Sequence, residues 1–406
     1  MNKMKKRKTF LRFAAAALSV ISLAAFTACD VSAGPINSDV SGKVMLLCKN
    51  KNIEFWSDIA RGAEEAGSEI GLDVTVVYGE SETDTKSQLE QLDKAKADGF
   101  KAIIIAPNTP SNGDFSDINN KLAEIAGTEI TVGSNQKIST PIININNAIK
   151  YDGTSLRSDQ VSMLIKSDDE EAGRTAAREV ISMMTKDKDT VSGHGKFLVF
   201  GHASGTGNTR CNGFQDEIAQ AIALEQTSQN KQGTNELSVA GEIPVSELNS
   251  IKSEHFTLFL NTETNAMSDT VKNDILSSKN ILETSVIFCT NTETTEQVCK
   301  QVEGARNSGK IGDRTLSSEE TKALQKLVII GFNSSQAEIS YLKSGTLDGT
   351  IIQNPYLMGY LSVRYVKQIL QGKSVPTDVD PGIMYINSAK LEEEYVQNLL
   401  NASVNE

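Results

Sequence analysis

The residues of this chain equipped for chemistry are rings and amides rather than nucleophiles. Phe55 adjoins Trp56, the only tryptophan, close behind Asn52. A flat ring beside an amide can hold a ligand by stacking and hydrogen bonding. Tryptophan is also a frequent core residue, and spacing alone allows that reading. His194, His202 and His255 are the only histidines; they have no ligand spacing and no clustered Cys pair, which argues against a metal centre. Gly205-Thr206-Gly207 lacks the third glycine and the Lys-Ser/Thr ending of a phosphate loop, so it reads as a small-residue turn entering a helix. Asp187 and Asp189 alternate, but the other ligands and the glycine of a calcium loop are missing. No Ser, Cys or His lies in a nucleophile context, so neither an enzyme nor a cofactor is expected.

The elements that position Phe55 start at Lys43. Val44 to Leu47 is a short apolar run of strand length, and a polar loop follows at Lys49 to Asn52. Phe55, Ile59, Ala63, Ala66 and Ile70 then recur at helical spacing. In an open parallel sheet, ligands bind beyond the carboxyl ends of the strands, which puts the site at the Asn52 loop. The alternation persists: Val74–Tyr78, a helix over Thr85–Ala97, Ala102–Ala106, a helix bearing Phe115, Ile118, Leu122 and Ile125, and Pro141–Ile145. Val161–Ile165 runs into Ser167-Asp168-Asp169-Glu170, acids suited to the first turn of a helix. A second set follows with strands at Lys196–Gly201, Glu236–Ile243, Val286–Thr290 and Leu327–Ile330. A helix runs from Asn212 with Phe214, Ile218, Ala219 and Ile222. Residues 225–235 and 305–322 read as polar surface excursions. Such alternation predicts parallel sheets covered by helices.

The chain opens with Lys3, Lys5, Lys6, Arg7, Lys8 and Arg12, then a short apolar body, Phe13 to Phe26, and Thr27-Ala28-Cys29. This is a secretory signal too short to cross a bilayer, and the Cys after small residues resembles a lipobox, with Cys29 lipidated. Asp30 to Gly42 reads as a flexible tether. Cleavage before Cys29 removes six positive charges and takes the formal net charge from −12 to −18. So acidic an exported chain suits neither nucleic acid nor anionic lipid as a partner. Cys48, Cys211, Cys289 and Cys299 are too few for a disulfide scaffold, although a pairing stays open.

Two stretches carry a family resemblance. GAEEAGSEIGLDVTVVYGESET with QLEQLDKAKADGFKAIIIAPN is similar to the amino-terminal half of the sugar-type periplasmic binding proteins of bacterial ABC importers. VIIGFNSSQAEISYLKSGTLDGTIIQNPYLMGYLSVRYVKQILQGKSVP resembles the carboxy-terminal half, and Asp168-Asp169-Glu170-Glu171-Ala172-Gly173 the segment after the first crossover. The resemblance spans roughly Lys43 to Lys390.

It implies an α/β fold of two similar doubly wound parallel-sheet lobes joined by a three-strand hinge, the type I periplasmic binding protein architecture. The implied organisation is a signal peptide over 1–28, a lipid-anchored tether over 29–42, an N-terminal lobe from 43–167 with 354–380, and a C-terminal lobe from 168–353 with 381–406. Crossings fall near Ser167–Asp168, Gln353–Asn354 and Asp380–Ile383, and the lobes close by a hinge motion. By position, Phe55 and Trp56 match the aromatic pair that sandwiches a sugar ring, and Asn52 a polar residue of the same loop. Asn146 and Asn147 stand where many members have Asp-Arg, and Asn208 where a basic ligand residue stands; Arg210 matches an arginine that is more often structural. Asn291 matches a ligand Asn, Asn333 replaces a carboxylate, and Gln353 matches the hinge glutamine.

Amides carry donors and an acceptor, so these positions suit a neutral polyhydroxylated solute rather than an amino acid or phosphate. The expected protein is a monomeric extracytoplasmic lipoprotein that hands a sugar to an ABC permease. A sensory partner, a histidine kinase or chemoreceptor, is the alternative. Trp56→Ala is expected to lose binding without unfolding.

Overall fold

Two six-stranded sheets carry the molecule. The computed structural model describes residues 41–81, 83–110, 112–132, 136–151, 156–186, 190–201, 206–231, 243–260 and 267–401. Val40–Glu406 form one compact unit. The leader, Cys29, the tether up to Val40, Asp187, Asp189, His202 and Gly205 lie outside the described residues.

Strands β1 (Lys43–Cys48), β2 (Asp73–Tyr78) and β3 (Ala102–Ile105) come first, then a separate antiparallel hairpin, β4 (Glu129–Val132) and β5 (Gln136–Ser139). β6 (Ile142–Ile145) and β7 (Met163–Ile165) extend the first sheet. The second sheet takes β8 (Lys196–Gly201), β9 (Phe256–Leu260) and β10 (Thr284–Cys289). A second hairpin, β11 (Lys310–Ile311) and β12 (Arg314–Thr315), precedes β13 (Val328–Phe332) and β14 (Gly349–Gln353). β15 (Asp378–Val379) and β16 (Ile383–Ile386) add one edge to each sheet. The first sheet runs β15-β7-β6-β3-β1-β2 and the second β16-β14-β13-β10-β8-β9, so the orders correspond strand for strand. All neighbours are parallel except β14 and β16.

Central strands covered on both faces must be apolar throughout, and β1, β3 and β6 are buried along almost their whole length. Val44, Leu46 and Cys48 face one apolar cluster, while Met45 and Leu47 face another on the opposite side of the sheet. The second sheet divides likewise, with Leu198 and Phe200 on one side and Phe197 and Val199 on the other. Each lobe is therefore doubly wound.

The chain changes lobe three times. After β7 it passes Ser167–Asp168 into the helix Asp169–Thr185, which packs on Thr206–Lys231. After β14 it passes Asn354 into the helix Pro355–Leu370, which packs on Glu54–Ile70 in the first lobe. Residues 380–382 then lead from β15 to β16. Both helix pairs make backbone contact through glycines. A Cβ on Gly62 would lie 2.0 Å from Tyr356 O and one on Gly359 1.9 Å from Ile59 O. In the other lobe, a Cβ on Gly173 would lie 2.0 Å from Arg210 O and one on Gly213 2.1 Å from Glu170 O.

Two local expectations are corrected and a third is untested: of the strand expected at Glu236–Ile243 only Ile243 is described, the rest lying outside the described residues, and among those residues the outer strand of the second sheet is β9. β9 follows the helix Val245–His255 with no glycine or proline between them, so nothing in the sequence punctuates its start. Residues 225–231 continue the helix Thr206–Lys231, where Glu225 accepts from Val191 N (2.7 Å) and Ser192 N (3.0 Å) and so braces the preceding loop. Residues 305–322 are also ordered into elements. Gly309 caps a helix at φ 68°, the β11–β12 hairpin follows, and Ser317 with Glu320 forms the capping box of Ser318–Lys326.

Cys48, Cys211, Cys289 and Cys299 are free and buried. Burial pushes every one of these thiols up, Cys211 to about 11. Among the described residues, no group of three or more His, Cys, Asp or Glu could hold a metal ion, and no helix is long and apolar enough to cross a membrane.

Candidate functional site

All three crossings leave the carboxyl ends of strands, β7, β14 and β15. The carboxyl edges of both sheets therefore meet at the hinge, and the strand-exit loops open onto the gap between the lobes. The first and third crossings run side by side. Lys166 N donates to Val379 O (3.1 Å), Ser167 Oγ to Gly382 O (3.5 Å), and Gly382 N to Asp380 Oδ1 (2.7 Å). Burial raises the Asp380 carboxyl.

On the first-lobe wall, Asn52 is exposed and Phe55 half-buried at the start of the helix Glu54–Ile70. Trp56 does not share that position. It is 2% exposed and packs in the core with Val44, Leu46, Ile59 and Ala63. The edge-on contact with Phe55 has ring centroids 5.0 Å apart, and Lys49 Nζ stands 5.8 Å from the indole centroid. Trp56 falls on the same helical face as Ile59, Ala60 and Ala63, so burying that face buries the indole. The aromatic pair is thus split: Phe55 borders the loop, and Trp56 supports it from below.

Asn146 and Asn147 follow β6 and are both half-buried. Asn147 Nδ2 donates to Pro107 O (3.1 Å), and its Oδ1 is buried without a hydrogen-bond partner. A carbonyl can only accept, so this bond fixes the amide with its acceptor free. The loop rests on a buried residue that sequence reasoning passed over, Asn144. Its Nδ2 donates to Ile105 O (3.2 Å) and Asn147 O (3.0 Å), and its Oδ1 accepts from Ile149 N (2.9 Å). A second buried pair, Gln88 and Asn108, ties the β2 and β3 exits. Gln88 exchanges bonds with Ala106 O and Asn108 N (both 2.9 Å), while Asn108 Nδ2 donates to Ser81 O (3.1 Å) and Asp84 O (2.8 Å). A polar residue inside an apolar strand, as Asn144 is in IINI, was the available signal.

On the second-lobe wall, three expected residues stand together. Gln353 Nε2 donates to Asn333 Oδ1 (3.1 Å), and Asn333 Nδ2 donates to Thr292 Oγ1 (2.9 Å), next to Asn291. Asn291 caps the helix Thr292–Ser308: its Oδ1 accepts from Thr294 N (2.9 Å) and Thr294 Oγ1 (3.0 Å). A backbone N–H can only donate, so Asn291 is fixed with its Nδ2 as the group to offer. The two orientation-locked amides are thus of opposite polarity, an acceptor in the first lobe and a donor in the second.

Asn208 is exposed in the first turn of Thr206–Lys231, whereas Arg210 turns inward. Arg210 Nε and NH2 reach Asp169 Oδ1 (2.9 and 2.8 Å), NH1 reaches Thr290 O (2.7 Å), and the guanidinium lies 3.5 Å from the Phe332 ring centroid. Burial lowers its pKa and Asp169 opposes the shift. Arg210 is therefore a brace behind the Thr290–Asn291 exit and not a ligand-facing group, because its donors are engaged within the lobe.

Two α/β lobes joined by three crossings at the carboxyl ends of their strands define the two-lobe architecture of solute-binding proteins. A family model described as a periplasmic binding protein domain matches residues 44–374, and the chain belongs to that family. It is accordingly a binding protein and not an enzyme. The D-allose-binding periplasmic protein of Escherichia coli (strain K12) is 21% identical over 345 residues, covering 84% of this chain and 89% of that protein. A solute-binding protein of Agrobacterium vitis, solved with α-D-tagatopyranose, superposes with a TM-score of 0.61 at 20% identity, over 88% of this chain and 98% of that one. A carbohydrate transporter solute-binding protein of Agrobacterium radiobacter, in complex with D-arabinose, gives 0.59 at 19% identity, over 89% and 99%.

Proposed function

We propose that the chain is an extracytoplasmic lipoprotein, anchored to the cell membrane through lipidated Cys29. It captures a small neutral ligand, a monosaccharide or related polyol, between its lobes and delivers it to an ABC permease. The observation that carries this reading is the second-lobe wall, where Asn291, Thr292, Asn333 and Gln353 offer amides and a hydroxyl and no formal charge. A charged ligand desolvated there would lack the ionic partners that offset its burial. Asn52, Asn146, Asn147 and Asn208 are the further amides of the reading, and Phe55 is its apolar surface. The sugars named for the relatives, D-allose, D-arabinose and D-tagatose, support the same ligand class.

Calorimetric titration with these three sugars and with ribitol tests the reading. Saturable binding of at least one is expected. Heat from none of them, alongside binding of an amino acid or inorganic phosphate, overturns it. The anchor is tested separately by labelled fatty acid, whose incorporation should disappear in Cys29→Ser.

A further inference from the structure

Behind the Asn333 loop lies an acid that the binding site does not use. Glu338 is fully buried in the first turn of the helix Gln336–Ser344. Its Oε2 accepts from Ser335 N (2.8 Å), and Ser335 Oγ accepts from Glu338 N (3.2 Å). The same Ser335 hydroxyl donates to Glu296 Oε1 (2.6 Å), and Glu338 Oε1 is buried with no hydrogen-bond partner. Thr295 lies beside the carboxyl; its hydroxyl donates to Asn291 O (2.8 Å) and accepts from Phe332 N (3.2 Å). Glu338 therefore sits directly behind both second-lobe exits, that of Asn291 and that of Asn333.

The titratable groups facing Glu338 are Glu296 and Cys299 from the helix Thr292–Ser308 and Cys289 from β10. None can supply a positive charge, and both thiols are themselves raised by burial. A carboxylate at this place would be a desolvated anion next to a second anion, with one oxygen unpaired.

We propose that Glu338 is a positioning residue held uncharged beneath the loop Asn333–Ser335, and that its ionisation displaces this loop and withdraws Asn333 from the ligand. The displacement follows from desolvation: Ser335 N and Oγ serve the two carboxyls separately, Glu338 Oε1 is left unmet beside Glu296, and water reaches a charge placed there only if the loop gives way. Burial, with Glu296 adding to it, raises the Glu338 carboxyl to about 8, so the change falls at mildly alkaline pH. The effect on affinity rests on the sugar-capturing reading; the proton and the loop movement do not.

The test is an NMR titration of the full chain, labelled with 15N in asparagine and serine, following the backbone amides of Asn333 and Ser335 from pH 6 to 9. A single transition near pH 8 is expected in the wild type, absent in Glu338→Gln. Glu296→Gln, which keeps the acid and removes its neighbour's charge, should move the midpoint down. Flat shifts in the wild type, or an unchanged transition in Glu338→Gln, overturn the proposal. A purely structural Glu338 would alter stability without any pH transition of these amides. Where one of the sugars binds, its affinity should fall at least several-fold between pH 7 and 9 in the wild type only. A transition without binding of any sugar, alongside binding of an amino acid or inorganic phosphate, supports the positioning role and overturns the sugar reading.

Discussion

Asn146 and Asn333 occupy the same place in two different lobes. Each directly follows the fourth parallel strand of its sheet, β6 in one and β13 in the other. Both have left-handed backbones, φ 66° and φ 82°, and they are the only such residues besides glycine among the described residues. Each donates its backbone N–H to the next strand, Asn146 to Ile165 O (2.9 Å) and Asn333 to Ile351 O (2.7 Å). Asparagine tolerates this conformation better than most residues, so the same turn recurs at the same strand exit of both sheets.

That conformation separates fold from binding at Asn333. Asn333→Gly keeps the backbone and removes the amide, whereas Asn333→Val keeps bulk and strains the turn by about 1–2 kcal/mol. Thermal unfolding should change little in the first and fall in the second. Sugar affinity should fall in both.

The two fixed amides give a prediction in which stability and binding part company. Asn291→Asp keeps the oxygen that caps the helix Thr292–Ser308 and adds a charge favourable at its N-terminus. It loses the Nδ2 donor. Chemical denaturation should show an equal or higher midpoint, while calorimetry shows affinity weaker by about tenfold, the scale of one hydrogen bond with its buried partner left unmet.

Trp56→Ala should destabilise the first lobe by about 3–5 kcal/mol, as for other large core deletions. Phe55→Ala, at a half-buried position, should cost less stability and more affinity. Urea unfolding and calorimetry on the two variants would check this. A Trp56→Ala variant of native stability would return the indole to the binding surface.

The glycine contacts between helices predict equal sensitivity in both lobes. Gly359→Ala and Gly173→Ala each place a Cβ within about 2 Å of a backbone oxygen, so the helices must separate. A loss of about 1–3 kcal/mol or more is expected in each, read from the urea midpoint.

At low pH the telling residue is Glu320. The Ser317 backbone N–H (2.7 Å), followed by the Ser278 hydroxyl and Arg314, holds its carboxyl at about 2, below the ordinary 4.5. A lowered folded value favours the carboxylate, so this stabilisation is present above the ordinary value and is lost as pH falls towards 2. Glu320→Gln should lower the unfolding midpoint at pH 7 and leave it less dependent on pH between 4.5 and 2.

Strong periodicity made much of the architecture legible. The helix Glu54–Ile70, the Thr85–Ala97 helix and the core strands were written in apolar spacing, because packing against a sheet demands it. β9 was not, because an edge strand is only partly buried and its start carried no turn residue. Trp56 was ambiguous because residues 55 and 56 lie on adjacent slopes of one helix, and only packing decides which is covered. Arg210 was equally mute: an arginine reads the same in sequence whether its partner is a solute or Asp169. Asn144, Gln88 and Asn108 went unread because their partners are backbone atoms far along the chain, where no local pattern reaches.

The interleaving of the lobes bears on how the molecule comes into being. The first lobe is closed by the helix Pro355–Leu370 and the edge strand β15, both encoded after the whole parallel part of the second sheet. Nearly the entire polypeptide must be synthesised before that lobe can complete itself, so the lobe that begins first cannot finish folding until the other is almost wholly made.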